Sequence, residues 1–89
     1  MRTYRFIVSG KVQGVWYRDT IKRKAKELGV TGYVKNLPDK TVEVVANLSD
    51  EDYDKFLEIL KEGSLLSRVE NIEAGEIMPT YFEDFEVRY

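Results

Sequence analysis

The chain has 89 residues, of which 43% are hydrophobic and 34% are charged, and its net charge is −2 with an isoelectric point near 5.2. This length accommodates one small domain, which we expect to span residues 1–89, and the acidic balance argues against a non-specific nucleic-acid binder, whose affinity depends on cationic contacts to phosphate. With no cysteine and no histidine, the chain lacks disulfides, thiolate nucleophiles, cysteine-ligated metal sites, the commonest metal ligand and the usual near-neutral general base.

The first half of the sequence has the pattern of a strand, a helix and a hairpin. The run TYRFIVSG is rich in β-branched and aromatic residues. Tyr4, Phe6 and Val8 alternate with Arg5 and Ile7, which predicts a strand over residues 3–9. Next, YRDTIKRKAKELG repeats apolar residues at helical spacing and places Gly29 where a helix commonly ends. The segments VTGYVKN and TVEVVAN predict two short strands, and the intervening LPDK has the proline and aspartate of a turn.

The second half predicts one more helix and two more strands. In SDEDYDKFLEILKEG, Ser49 is a capping residue, acidic residues fill the first turn, and Gly63 ends the helix. The segments RVENIEAGEIM and EDFEVRY then have the alternation of strands. The order β-α-β-β-α-β with a short terminal strand predicts an α+β fold of the ferredoxin-like, split-βαβ type, with an antiparallel sheet and both helices on one face.

Between the first strand and the first helix lies GKVQGVWYR, residues 10–18. Its two glycines are compatible with an ordinary tight connector. They are also compatible with an anion site, because a loop at a helix N-terminus offers unpaired N–H groups and the positive end of the helix dipole. Arg18 would then add two parallel hydrogen bonds to phosphate oxygens. The spacing does not decide between the two, and no P-loop signature of nucleotide or Mg²⁺ binding follows.

Three further features have a structural and a functional interpretation. Asn36 ends the strand TGYVKN, where asparagine most often begins a turn, although its amide could also hold a water or a ligand. The basic run KRKAKE is more typical of a solvated helix face than of a nucleic-acid patch. Trp16, Tyr17 and Tyr33 are more typical of core or rim aromatics than of a stacking surface.

Several motifs together resemble the signature of the acylphosphatase family. GKVQGVWYR is similar to the family's loop and helix start, GYVKNLPD and a VEV strand follow it, and SRVENIE and FEVRY are similar to its later strands. The resemblance covers essentially the whole chain. It implies a metal-independent hydrolase without a cofactor, which cleaves the carboxyl–phosphate bond of acyl phosphates and releases carboxylate and inorganic phosphate.

By position, the resemblance also implies roles for individual residues. Arg18 and Asn36 would be the catalytic residues, with Arg18 clamping the phosphate and Asn36 orienting the attacking water. The backbone amides that bind the phosphate would belong to the loop residues Gln13, Gly14, Val15, Trp16, Tyr17 and Arg18. The leaving carboxylate has a conjugate acid of pKa about 4 to 5, so it departs without a general acid and a histidine is not required.

Two positions depart from the family's pattern. Lys40 stands where the family commonly has glycine after the turn aspartate, and Ser64 stands where it often has proline. The segment ANLSDED also lacks the glycine usual after the third strand. We expect these departures to affect loop geometry or stability without touching Arg18 or Asn36.

Two other function classes fit this order of elements. An RNA-recognition-motif module would carry an aromatic run on its third strand, whereas TVEVVAN has no aromatic residue. A non-catalytic anion-binding or regulatory domain of the acylphosphatase type would keep the phosphate loop without turnover. That the sequence ends just after FEVRY favours the stand-alone enzyme.

The sequence also carries expectations about location and partners. No stretch approaches the roughly 20 apolar residues that span a bilayer, and MRTYRFIVSG lacks the apolar core of a signal peptide. We therefore expect a cytoplasmic monomer with no membrane or nucleic-acid partner, whose ligands are small acyl phosphates and inorganic phosphate or similar anions as product or inhibitor. The cysteine-free, Lys/Glu-rich composition is also found in thermophilic proteins, which favours thermostability.

Overall fold

The computed structural model describes residues 1–89, which form five strands and two helices. The strands are β1 (Arg2–Lys11), β2 (Thr31–Asn36), β3 (Val42–Leu48), β4 (Arg68–Ile77) and β5 (Phe85–Arg88), and the helices are α1 (Tyr17–Leu28) and α2 (Asp50–Glu62). Every predicted element is present, and β1 extends beyond the predicted residues 3–9 at both ends. Neither helix has the length and apolarity that a bilayer-spanning segment requires.

The five strands form one sheet in the order β4-β1-β3-β2-β5. Among the first four, each strand is antiparallel to its neighbours, which confirms the ferredoxin-like arrangement. One detail differs from the prediction of an antiparallel sheet, because β5 pairs in parallel with β2 and makes the sheet mixed.

The parallel direction of β5 follows from the path of residues 78–84, which connect it to β4. This segment is attached to the end of the sheet where β1 begins and β3 finishes: the Thr80 N–H donates to Thr3 Oγ1 at 3.1 Å, and Asn47 Nδ2 donates to the Thr80 carbonyl at 2.8 Å. The chain therefore stays at that end while crossing the sheet. The strand that follows must run opposite to β4, which is the direction of β2.

One face of the sheet carries the core, and the other carries charged side chains beside a smaller group of aromatic and aliphatic ones. Phe6 and Val8 of β1 are fully buried, together with Ile21 of α1 and Phe56 and Leu60 of α2. Each large apolar side chain that is fully buried stabilises the fold by about 1.5–3 kcal/mol. The opposite face carries charged side chains, so both helices cover a single face, as the sequence predicts.

The hairpin turn between β2 and β3 is closed by two backbone hydrogen bonds and contains Lys40. The Leu37 N–H donates to the Thr41 carbonyl at 2.9 Å, and the Lys40 N–H donates to the Leu37 carbonyl at 3.1 Å. Lys40 has a φ of 73°, in the left-handed region that glycine favours. The departure from the family's pattern therefore appears as backbone strain at this position.

Candidate active site

The candidate site lies at one edge of the sheet, where β1, β2 and β5 end and β3 begins. The alternating strand directions bring four segments to this edge: the loop 12–16 that precedes α1, Asn36, the hairpin turn 37–41 and the last residues of β5. Residues distant in sequence are thus neighbours in space. The loop before α1 and Asn36 therefore lie at the same end of the sheet.

Unpaired backbone donors are concentrated at the start of α1. None of the N–H groups of residues 13–19 donates a hydrogen bond within the chain, and the first such bond of the helix joins the Thr20 N–H to the Trp16 carbonyl at 3.1 Å. The N-terminus of α2, in contrast, has a side-chain cap, because Ser49 Oγ accepts from the Asp52 N–H at 3.2 Å. Without a side-chain cap, the N-terminus of α1 keeps donors and the positive end of its dipole available to an anion.

The loop itself has a backbone conformation suited to an anion. Gly14 has a φ of 72° and Trp16 a φ of 65° with ψ 17°, whereas the intervening Val15 does not have a positive φ. Alternation of this kind points successive N–H groups into one concave face. A non-glycine residue in the left-handed region costs about 1–2 kcal/mol, and strain of this size is typical of functional sites.

Gln13 ties the loop to the hairpin turn beside Asn36. Its side-chain Nε2 donates to the carbonyls of Leu37 and Thr41, at 2.9 Å each. Leu37 directly follows Asn36 in the chain. One amide group therefore connects the loop before α1 to the turn that follows Asn36.

Two further hydrogen bonds hold the loop and α1 against the end of α2. Ser64 Oγ donates to the Val15 carbonyl at 2.5 Å, and Tyr17 Oη donates to the Leu60 carbonyl at 2.8 Å. Burial raises the pKa of the Tyr17 phenol, which therefore remains a neutral donor. A proline at position 64 would have no hydroxyl to donate, so the serine supplies an attachment that the family's more common residue does not.

Arg18 lies in the first turn of α1 and faces the end of β5. Its Nη1 donates to the Arg88 carbonyl at 3.3 Å, and its guanidinium carbon lies 4.7 Å from the centre of the Tyr89 ring. No carboxylate forms an ion pair with it. Its other N–H groups make no hydrogen bond within the chain and are available to a ligand.

A cleft of about 400 Å³ adjoins the arginine. It is lined by Val12, Gly14, Trp16, Tyr17, Arg18, Asp19, Val87 and Tyr89. Four of the residues predicted for the site therefore share this cleft. Of the other loop residues, Gln13 extends to the hairpin turn and Val15 is buried in the core.

Asn36 lies at the same edge of the sheet, outside the set of residues that line the cleft. Its Oδ1 is the one buried side-chain polar atom of the structure without a hydrogen-bond partner. Its Nδ2 also has no partner in the chain, and this nitrogen is accessible. Buried polar atoms of folded proteins are nearly always paired. An asparagine side chain that makes no hydrogen bond within the chain is therefore unusual, and a functional role would explain it.

The sequence interpretation missed part of the site. Val87 and Tyr89 line the cleft, whereas the sequence pattern indicates them only as strand residues and assigns no role to the side chains of Gln13 and Ser64. The alternation of FEVRY, which places Val87 and Tyr89 on one side of a strand, indicated that they act together. That they lie beside Arg18 depends on the parallel pairing of β5 with β2, which brings the end of β5 to the start of α1.

Comparisons with known proteins identify the family. The family model for acylphosphatase matches residues 4–87. An acylphosphatase of Methylococcus capsulatus is 44% identical over 88 residues, which cover 98% of this chain and 96% of that protein. The crystal structure of acylphosphatase from Bacillus subtilis matches with a TM-score of 0.94 at 34% identity, over 100% of both chains.

A likeness to part of a larger protein is also present. The crystal structure of HypF from T. kodakarensis matches 99% of this chain with a TM-score of 0.87 and 38% identity, but the match covers only 12% of that protein. By contrast, the acylphosphatases of Methylococcus capsulatus and Bacillus subtilis match over nearly their whole length and are about the size of this chain. Sequence motifs, fold and comparisons agree, and the chain belongs to the acylphosphatase family.

Proposed function

We propose that this acylphosphatase binds the phosphate group of its substrate in the loop before α1 and attacks it with a water oriented by Asn36. The reaction is the hydrolysis of the carboxyl–phosphate bond of an acyl phosphate. The Arg18 guanidinium clamps two phosphate oxygens. Backbone N–H groups supply the remaining donors, and they belong to Gln13, Gly14, Val15, Trp16, Tyr17 and Arg18.

The observation that carries the proposal is the uninterrupted run of unpaired N–H groups beside an arginine without a carboxylate partner. Phosphoryl transfer needs in-line positioning and donors matched to the charge on the equatorial oxygens of the transition state. The loop supplies fixed donors because Gln13 and Ser64 hold its backbone in place. Such donors need little rearrangement as the charge develops.

The bond changes can be assigned to named groups. The oxygen of a water that accepts from Asn36 Nδ2 attacks phosphorus, and the bond between phosphorus and the carboxyl oxygen breaks with its electron pair leaving on the carboxylate. A phosphate oxygen takes the proton of the water. The carboxylate is a weak base, so it leaves unprotonated, and no histidine or cysteine is needed.

The first experiment tests whether Arg18 clamps the phosphate through two parallel hydrogen bonds and whether turnover is independent of metal. Hydrolysis of benzoyl phosphate is measured in EDTA for the wild type, Arg18→Ala, Arg18→Lys and Arg23→Ala, after circular dichroism has shown each to be folded. Losing one preorganised donor costs about 10²–10³ in rate, so we expect at least this loss for Arg18→Ala. We expect Arg18→Lys to fail as well, because an ammonium cannot make two parallel bonds.

Arg23→Ala is the matched control, since Arg23 is an exposed arginine on the same helix and makes no ion pair. It should keep wild-type activity. Full activity of Arg18→Lys would contradict the two-bond clamp. EDTA-sensitive turnover would contradict a metal-independent reaction.

Asn36→Ala tests the water-positioning role. We expect it to lose turnover and to keep its affinity for inorganic phosphate, measured by calorimetry, whereas Arg18→Ala loses both. Equal loss of phosphate affinity in the two variants would make Asn36 a phosphate ligand instead.

The match to a short segment of HypF shows that this fold also occurs within a longer chain, which is compatible with one alternative, a non-catalytic anion-binding or regulatory domain. A folded wild type that binds phosphate and hydrolyses neither benzoyl nor acetyl phosphate would favour it. All five strands join one sheet and the large buried side chains form one core, which supports a single domain over residues 1–89; that it acts as a monomer stays a prediction.

A further inference from the structure

Two aromatic side chains stand in solvent at the mouth of the cleft. The Trp16 side chain is 74% exposed and that of Tyr89 is 93% exposed. Burial of an aromatic ring contributes strongly to stability, so neither ring serves the fold in this position. Trp16 is held there by the left-handed conformation of its backbone, which the neighbouring buried Val15 anchors.

The cleft has two chemically different parts. Gly14 and Arg18 border the donors that we assign to phosphate, whereas Val12, Val87 and the two aromatic rings are apolar. A volume of about 400 Å³ lies within the range of roughly 300–1,000 Å³ that small-molecule sites occupy. This is room for a substrate larger than a phosphate group.

We propose that Trp16 and Tyr89 form a subsite for the acyl group, and that the preferred substrates are acyl phosphates with an aromatic or extended apolar acyl group. The inference rests on the proposed function, since the phosphate must occupy the donors beside Arg18 for the acyl group to extend toward these rings. The Tyr89 ring contacts the Arg18 guanidinium at 4.7 Å from its centre and remains almost entirely exposed. Its free surface therefore adjoins the phosphate clamp.

The test is the ratio of kcat/KM for benzoyl phosphate to kcat/KM for acetyl phosphate. Contacts between aromatic rings correspond to a factor of about 2 to 12 in binding. We expect the ratio to fall by about this factor in Tyr89→Ser and to be retained in Tyr89→Phe. Because each variant is compared with the wild type, the different intrinsic reactivities of the two substrates cancel.

Two further variants complete the test. Trp16→Asn, which replaces the ring by a residue that tolerates the left-handed conformation, should lower the ratio as well. Tyr81→Ser is the matched control, since Tyr81 is 84% exposed and lies outside the cleft. Its ratio should equal that of the wild type.

The outcomes distinguish this inference from the proposed function. Equal losses on both substrates in Tyr89→Ser and Trp16→Asn would overturn the acyl subsite and leave the phosphatase activity standing. If both variants kept the wild-type rates and the wild-type ratio of kcat/KM for the two substrates, the acyl subsite would likewise be overturned and the phosphatase activity would stand. No turnover of either substrate by the wild type would overturn both proposals.

Discussion

Replacing Gln13 by methionine tests whether one side chain holds the loop before α1 against the hairpin turn. Methionine has a similar length and no donor, so the substitution removes both hydrogen bonds from Nε2, to the carbonyls of Leu37 and Thr41. Each carbonyl keeps another partner: the Leu37 carbonyl accepts from the Lys40 N–H and the Thr41 carbonyl accepts from the Leu37 N–H. Neither is left unpaired, so the penalty for an orphaned buried acceptor does not apply.

The expected loss is therefore two ordinary net hydrogen bonds. At about 0.5–1.5 kcal/mol each, the free energy of unfolding should fall by about 1–3 kcal/mol. Urea unfolding followed by circular dichroism measures it, with an unchanged slope showing that the two-state transition is intact. We also expect slower turnover, because Asn36 is adjacent to the released Leu37 carbonyl.

Gln13→Glu sharpens the test through pH. At pH 7 the carboxylate faces two carbonyl oxygens without a proton to donate, so this variant should be less stable than Gln13→Met. The two carbonyl oxygens disfavour the charged form and raise the pKa of the folded-state carboxyl above the ordinary glutamate value of about 4.3. Protonation restores one donor and removes the charge, so the difference should shrink as the pH falls through the raised value toward about 4.3. A Gln13→Met variant as stable and as active as the wild type would refute the reasoning.

Two other predictions concern positions outside the cleft. Lys40→Gly should raise the free energy of unfolding by about 0.5–1 kcal/mol, because relief of about 1–2 kcal/mol of left-handed strain exceeds the added chain entropy; a lower melting midpoint would contradict it. On the face of the sheet opposite the helices, burial pushes the pKa of Glu43 up, but hydrogen bonds from Tyr33 and Arg5 and the charge of Arg5 outweigh it and hold that pKa below its ordinary value of 4.5. The stabilisation from ionised Glu43 is thus complete above pH 4.5 and is lost as the pH falls through the lowered pKa of the folded state. We expect the free energy of unfolding of Glu43→Gln to depend less on pH in this range than that of the wild type. Urea unfolding at a series of pH values between 7 and 3 measures the difference.

Features that depend on near neighbours in the chain could be predicted from the sequence. Ser49 caps α2, Gly29 ends α1 in the left-handed conformation, and Phe56 and Leu60 face the core because their spacing matches one side of a helix. The motifs around Arg18 and Asn36 identified the family. These signals are local, since capping and helical periodicity involve residues within four positions of each other.

Other features were decided only by the tertiary structure. The direction of β5 depends on where residues 78–84 cross the sheet, and this direction brings Arg88 to Arg18, 70 residues earlier in the chain. The two bonds from Gln13 span 24 and 28 residues, and the bond from Ser64 to Val15 spans 49. No residue type at either end of such a bond specifies its partner, because the distance between them is set by the packing of the whole sheet.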